Sequence, residues 1–550
     1  MSTLLTRWFH QSSLPIASLG GAAFVIALAG VLSRLLGFVR DRLLASSFGA
    51  GDILDAYYAA FRLPDFIYGL LVLGALSAAF VPVFTGLWSK DDHRGAWRLM
   101  QHVLIVLMLI LGGTALLGII FAPWVATVIA PGFPLEKQAL VASMTRVMLL
   151  SPLLLALSAV FGGALISLKR FVAYSLAPIF YNLGIIAGIV FLVPMFGTIG
   201  LAWGVVLGAL LHVAIQYPAI KAAGYRVMLP QWHELLDPAT KQVIRLMVPR
   251  SLAMAISQFS LLIVTIFAST LPSGSLAVMT LATNIQSVPL GLFGISFAVA
   301  AFPVLSQFAA QKSQAEFFET LTKTGRRIAY FVVPLACLMI IFRAEIVRVV
   351  LGTGAFNWED TILTFQVLGI LATSLLMQCL IPLFVRAFFA LQDTRLPLLA
   401  ACVGELVHLG SIPFLLSRFD VLGLAIAFSL GALTQFLILY GLLRRRLSTF
   451  RDRLFLTPIL KIFLIAFAAS IVAQLSKNLF ALTIDRLDTF VEVFVKLLLG
   501  LLIGLGTYLA LSAWYRLPEY LDVRRFILCR LLRRPETVAL TQSHPEQGDW

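Results

Sequence analysis

Charge is what this chain has least of. Lys, Arg, Asp and Glu together make up 12% of its 550 residues, and 60% are hydrophobic, whereas an ordinary soluble domain is roughly 25% charged. A soluble fold of this length has nowhere to put so much apolar surface. Acidic residues are scarcer than basic ones, 26 against 41, for a net charge of +15. That excess does not read as a nucleic-acid surface, because the Lys and Arg residues fall mainly in alternate short loops and near the C-terminus. Cysteine is nearly absent. Cys337, Cys379, Cys402 and Cys529 are scattered without a CxxC pair, which excludes a disulfide framework and a thiolate metal site. The histidines show no HExxH, and no phosphate-binding glycine loop is present. No catalytic constellation and no cofactor site is therefore expected, and the chain reads as no enzyme. Any work it does would draw on an ion gradient, the membrane potential or substrate supply.

Long apolar runs are abundant instead. Leu104–Val128, Ile179–Pro194, Val367–Leu383 and Leu497–Ala513 each approach the length that crosses a bilayer, about 20 residues. The pattern predicts an all-α integral membrane protein with about 14 transmembrane helices. Lys90, Arg94, Lys169, Arg170, Lys221, Arg226, Lys312, Arg326 and Arg444–Arg446 follow even-numbered helices, which places both termini in the cytoplasm. The stretch Leu19–Leu32 runs straight into Arg34 and reads as a first span, not a cleaved signal.

A repeat recurs at a nearly constant offset. Ser33 answers to Ser257 (224 apart), Gly51 to Gly274 (223), Pro82 to Pro303 (221) and Leu168 to Leu391 (223). Two six-helix lobes around a central cavity are expected, residues 1–225 and 226–452, then two further helices in 453–516 and a cytoplasmic tail, 517–550.

A charge inside the bilayer costs about 2.5–3.5 kcal/mol, so each is a functional candidate. Arg34 and Asp41 are seven apart and share a helix face, as do Asp55 and Arg62, with Asp65 at i+3 from Arg62. Arg34 and Arg62 are expected to hold an anionic group in a hydrated cavity, since guanidinium suits phosphate bidentately. Arg40, Asp41 and Arg42 are open to a second reading as interfacial residues, and Arg62–Asp65 as a structural pair. In the second lobe Arg250, Ser257 and Gln258, and the stripe Thr280, Asn284, Ser287, either meet substrate or bond helices together. Glu405 and His408, at i and i+3, are candidates for an ion-sensing pair or a structural one.

The run SRLLGFVRD, then FGAG, Asp55, FRLP and GALSAAFVPVF, resembles the MurJ/MviN family of lipid II flippases, as do SQFSLLIVTIFAS, the GLFG…PVLS stretch and FFALQDTRLP. The resemblance implies two lobes that alternate access to a central cavity, with the last two helices forming a groove for the lipid tail. It implies translocation of lipid II, or a related polyprenyl-pyrophosphate lipid, across a bacterial inner membrane. The bilayer and cell-wall synthesis proteins would be its partners. By position, Arg34, Arg40 and Asp55 match family cavity residues and Arg62 a basic one; Arg250 and Asn284 complete the expected substrate-binding set. Tyr68, Gly69, Leu73, Thr283 and Asn284 stand where well-known members carry charges. Export of another amphiphile, or a non-transporting scaffold of cell-wall assembly, are the alternative readings.

Overall fold

The computed structural model describes residues 19–73, 76–228, 234–483 and 489–531. Among them there is no strand, as the bilayer demands of a chain whose backbone must bond within itself. Among the described residues eight helices are long and apolar enough to cross a membrane, or nine if Trp358–Thr373 and Leu375–Ala390, bent by 44°, form one span. The expected count of about 14 is larger. Part of the difference is that two of the eight, Phe171–Ala222 and Arg395–Arg446, are 52 residues long and are helical hairpins. The first turns at Gly197 (φ 63), so that a Cβ on Gly184 would lie 2.3 Å from the Cα of Gly208. The second turns at Asp420 (φ 47, ψ −131) and brings Gly431 against His408.

In chain order, α1 is Leu19–Phe48, α2 the broken helix described over 52–73 and 76–88, α3 His93–Ile120 and α4 Leu135–Ser167. The first hairpin supplies α5 (171–196) and α6 (Gly200–Ala214). Helix α7 is Pro238–Ser269, α8 Ser275–Ala310, α9 Gln314–Ile341 and α10 the bent pair. The second hairpin gives α11 (395–419) and α12 (421–446). Then follow α13 (Asp452–Thr483), α14 (Phe490–Trp514) and α15 (Pro518–Leu531). Helix α5 packs on α1 and α6, α4 on α2, α3 and α6, α8 on α9 and α10, and α10 on α12, where Phe384 meets Phe436 and Tyr440. Helices α13 and α14 lean on α9, where the Tyr508 hydroxyl donates to the Tyr330 carbonyl at 2.8 Å.

The repeat seen in the sequence reaches into backbone detail. Helices α2 and α8 each contain a π-helical segment, Gly69–Leu73 and Leu290–Ile295, followed by an interior proline, Pro82 and Pro303. The turns after α2 and α8 place Asp91 and Lys312 in the left-handed region, and those after α4 and α10 do the same for Lys169 and Gln392. In α8 the cause of the π segment is local. Pro289 lacks an N–H and its ring presses on the preceding turn, and the ladder widens to relieve it.

Candidate functional site

The polar residues of α1 point across the molecule at α8. Arg34 donates from Nη1 to the Val288 carbonyl at 2.9 Å, beside the π segment where the helical ladder is disturbed. Asp41, seven residues on, accepts from Asn284 Nδ2 at 3.0 Å. Val288 and Asn284 are themselves i and i+4 on α8, so one face of each helix forms a polar seam between the halves of the chain. Gly291 makes room for this: a Cβ there would fall 1.9 Å from Arg34 Nη2. Only a flexible side chain would have to move, so Gly291→Ala should leave thermal stability nearly unchanged while undocking the guanidinium. A melting temperature that falls markedly would show instead that docking on α8 holds the fold.

Arg40 is already occupied. Its Nε and Nη2 reach Asp41 Oδ1 at 3.0 and 2.8 Å, and Nη1 reaches Asn182 Oδ1 on α5 at 3.1 Å. Asn182 in turn donates to Ser33 and to the Pro178 carbonyl. Arg40, Asp41, Asn182 and Asn284 thus form one charge-compensated network joining α1, α5 and α8. Arg62 bridges elsewhere, from Nε to Thr265 Oγ1 on α7 at 2.7 Å. Asp65 is exposed although its stretch of α2 packs among α3, α4 and α7, so it faces an internal space, within electrostatic reach of Arg62. Neither Arg34 nor Arg62 spends its remaining donors on protein partners among the described residues. Arg42 sits apart, donating to the Val349 carbonyl and lying 4.7 Å from the Phe490 ring of α14.

Arg34 and Tyr68 line a cavity of about 560 Å³ between α1, α2 and α4–α6. Its floor carries a polar cluster that sequence reasoning passed over. Ser158 Oγ lies 2.6 Å from His212 Nδ1 and accepts from Gln216 Nε2 at 2.7 Å, while Gln216 Oε1 is buried without a partner. His212 is on α6 and Gln216, four residues on, is in the turn that follows it, a spacing that was readable. Ser158 enters only because α4 packs on α6.

Asp55 stands at the opposite end of the bundle from the start of α1, called distal below. It is 1% exposed and both its oxygens are used. They accept from the backbone N–H groups of Gly274 at 2.7 Å and Ala277 at 2.9 Å, capping the first turn of α8, and from Lys137 Nζ at 2.8 Å. The carboxylate suits the positive end of the α8 dipole. Lys137 also holds Asp52, which accepts from Ser273. The turns themselves interlock: Gly274 (φ 89) would drive a Cβ to 1.9 Å from the Ala50 carbonyl oxygen. The Ala50 N–H donates to Asp360 and the Ala355 N–H to the Ser46 carbonyl. Distally, α1–α2 is stitched to both α7–α8 and the approach to α10.

Glu405 and His408 form a separate cluster. Glu405 Oε2 accepts from Ser260 Oγ of α7 at 2.7 Å and lies 3.1 Å from His408 Nδ1. The side chain of Arg250 lies outside the described residues, as do those of Ser257 and Leu73. The structure therefore brings Arg34, Arg40 and Asn284 to one seam with Arg62 facing α7. It sets Asp55 in the distal contact and leaves Glu405 and His408 between α7 and α11. Among the described residues no group of three or more His, Cys, Asp or Glu is placed to hold a metal ion.

Comparison with known proteins gives a consistent result. The family described as Lipid II flippase MurJ matches residues 44–487. A probable lipid II flippase MurJ of Bdellovibrio bacteriovorus is 30% identical over 493 residues, covering 88% of this chain and 93% of the relative. The lipid II flippase MurJ of Burkholderia cenocepacia is 29% identical over 425 residues, 76% of this chain and 82% of that one. Among solved structures, a lipid II flippase MurJ in an inward closed conformation superposes with a TM-score of 0.74 at 23% identity, covering 90% of this chain and 99% of that chain. An inward-facing MATE family transporter of the MOP superfamily follows the same fold, with a TM-score of 0.65 at 17% identity over 76% and 94% of the two chains.

Proposed function

Because this chain belongs to the lipid II flippase MurJ family, we propose that it moves lipid II between the leaflets of the bacterial inner membrane by alternating access. It is a transporter and not an enzyme. The observation that carries the mechanism is the position of the distal seal relative to the cavity. Asp55 and the interlocked turns close one end, and the Arg34 cavity, which reaches Ile26 and Gly30 on α1, lies on the other side of that closure. With both termini in the cytoplasm, this arrangement receives a headgroup from the inner leaflet. The pyrophosphate would meet the spare donors of Arg34 and Arg62, each able to offer a planar pair of N–H groups. The polyprenyl chain would stay in lipid beside α13 and α14. Arg40, Asp41 and Asn284 keep the seam in register, and residues 1–225 and 226–452 would be the two bodies that rock.

The test is complementation of a bacterium depleted of its own lipid II flippase. Rescue of growth, with lipid II reaching the outer leaflet, is the expected result. A well-expressed, inserted chain that fails to rescue would indicate a different lipid-linked headgroup, in keeping with Tyr68 and Asn284 at positions the family resemblance would fill with charge.

Glu405, His408 and Ser260 join α7 to α11 through a carboxylate–imidazole–hydroxyl cluster, and they are the proposed seat of coupling to a proton or cation gradient. Glu405→Gln keeps the shape and removes the charge. It should abolish the response of vesicle transport to an imposed pH gradient while leaving substrate binding intact. A variant with the native response would exclude this cluster from coupling.

A further inference from the structure

Of the four carboxylates that the sequence places inside the bilayer, three are spent on the protein itself. Asp41 is held by Arg40 and Asn284, Asp55 by Lys137 and two backbone amides of α8, and Glu405 by Ser260 and His408. Asp65 is the exception. It is exposed to the space it faces, and its side chain has no hydrogen-bond or ion-pair partner among the described residues. Arg62, one turn earlier on α2, does not pair with it, because its Nε donates to Thr265 on α7. Such a charge is expensive to insert. A carboxylate within electrostatic reach of Arg62 also works against any phosphate which that arginine would hold. What offsets both costs must enter the space from outside.

That space has the character of an ammonium site. Tyr68 stands at i+3 from Asp65, so the two share a face of α2, and Tyr68 lines the cavity that Arg34 also lines. Tyr181 on α5, like Tyr68, is half-buried and within electrostatic reach of Asp65. Aromatic rings beside a carboxylate suit an organic cation, whose charge the ring quadrupoles attract. A bare metal ion would need several oxygen ligands, and no group of three or more His, Cys, Asp or Glu gathers there among the described residues. Tyr68 and Gly69 also stand where the family resemblance would place charge, which leaves this wall less cationic. We propose that Asp65 binds an ammonium group carried by the transported headgroup, while Arg34 and Arg62 hold its phosphates. The inference rests on the flippase reading and narrows it: the preferred substrate is a lipid-linked headgroup with a free amine.

The experiment measures the binding of two lipids to the purified full-length chain by native mass spectrometry. One is lipid II with a lysine in its peptide stem, and the other is the same lipid with that ε-amino group acetylated. The native chain should bind the free amine about tenfold to a hundredfold more tightly, the worth of a hydrogen bond between charged groups. Asp65→Asn should lose that preference. It should bind the acetylated lipid at least as well as the native chain does, since a carboxylate has been taken from beside Arg62. Asp65→Glu should keep the preference in part. Equal affinity of the native chain for both lipids would overturn the proposal and leave the flippase reading standing. An equal loss of both lipids in Asp65→Asn would make Asp65 a structural residue of α2 and overturn it as well. If the native chain binds neither lipid, the flippase reading itself fails and takes this inference with it.

Discussion

Arg34→Ala is expected to abolish lipid II translocation while the protein still folds and inserts. Among the described residues Arg34 makes one hydrogen bond to protein, to a backbone carbonyl of α8, and its side chain lines the cavity. Its removal leaves no buried charge unpaired, so the fold loses little. The substrate loses two donors to phosphate, and hydrogen bonds to charged groups contribute about 1.5–3 kcal/mol each, or roughly a hundredfold or more in rate for the pair. Arg34→Lys should fall between, since a point charge replaces a planar fork. Arg40→Ala supplies the contrast. It strands Asp41, which is 4% exposed, and breaking such a pair costs about 3–5 kcal/mol. The expected phenotype is lowered thermal stability and protein level, partly restored by adding Asp41→Asn. The two arginines are separated by measuring lipid II exposure per inserted molecule together with the melting temperature. If Arg34→Ala transports normally, the guanidinium is no part of the headgroup site.

These assignments show what the residue order could carry. The spans were legible because a bilayer admits little but long apolar helices, and the break near Asp420 was legible because a polar, charged stretch (Ser417–Asp420) interrupts an apolar run. Spacing also placed Arg34 and Asp41 on one face of α1, and the structure does turn both toward α8, though to different partners. Nothing in that spacing pairs Arg40 with its neighbour Asp41, since adjacent residues on a helix do not face each other. The long arginine side chain folds around to do so regardless. The role of Asp55 was out of reach for another reason. Its partners are Lys137, 82 residues away, and two backbone N–H groups 219 and 222 residues away, and a backbone amide leaves no trace in a sequence. Ser158 was missed likewise, its value depending on which helix α4 meets.

The distal contact gives the other large effect. Asp55→Ala removes two charge-assisted bonds from Asp55 to the start of α8, together worth about 3–6 kcal/mol. Asp55 is matched by Lys137 within the same half, so a further part of the cost falls on the fold whatever the conformation. The two bonds to α8 are different: they exist only while the distal ends touch. Their loss should shift the equilibrium toward distal opening by roughly a hundredfold to ten-thousandfold, enough to move a mostly closed population to a mostly open one. Spin labels at exposed Glu136 and Thr270, one on each side of the contact, would report this as a second, longer distance that the native chain lacks. Transport should fall because the cavity no longer resets toward the inner leaflet. Asp52→Asn is the measured contrast, since the Asp52 side chain is 66% exposed and its ion pair is screened by solvent; it should alter neither readout by more than about twofold. A single unchanged distance in Asp55→Ala would mean that the interlocked turns at Gly274 and Ala50 hold the closure without the carboxylate, and that the energy of switching resides in backbone packing instead of this latch.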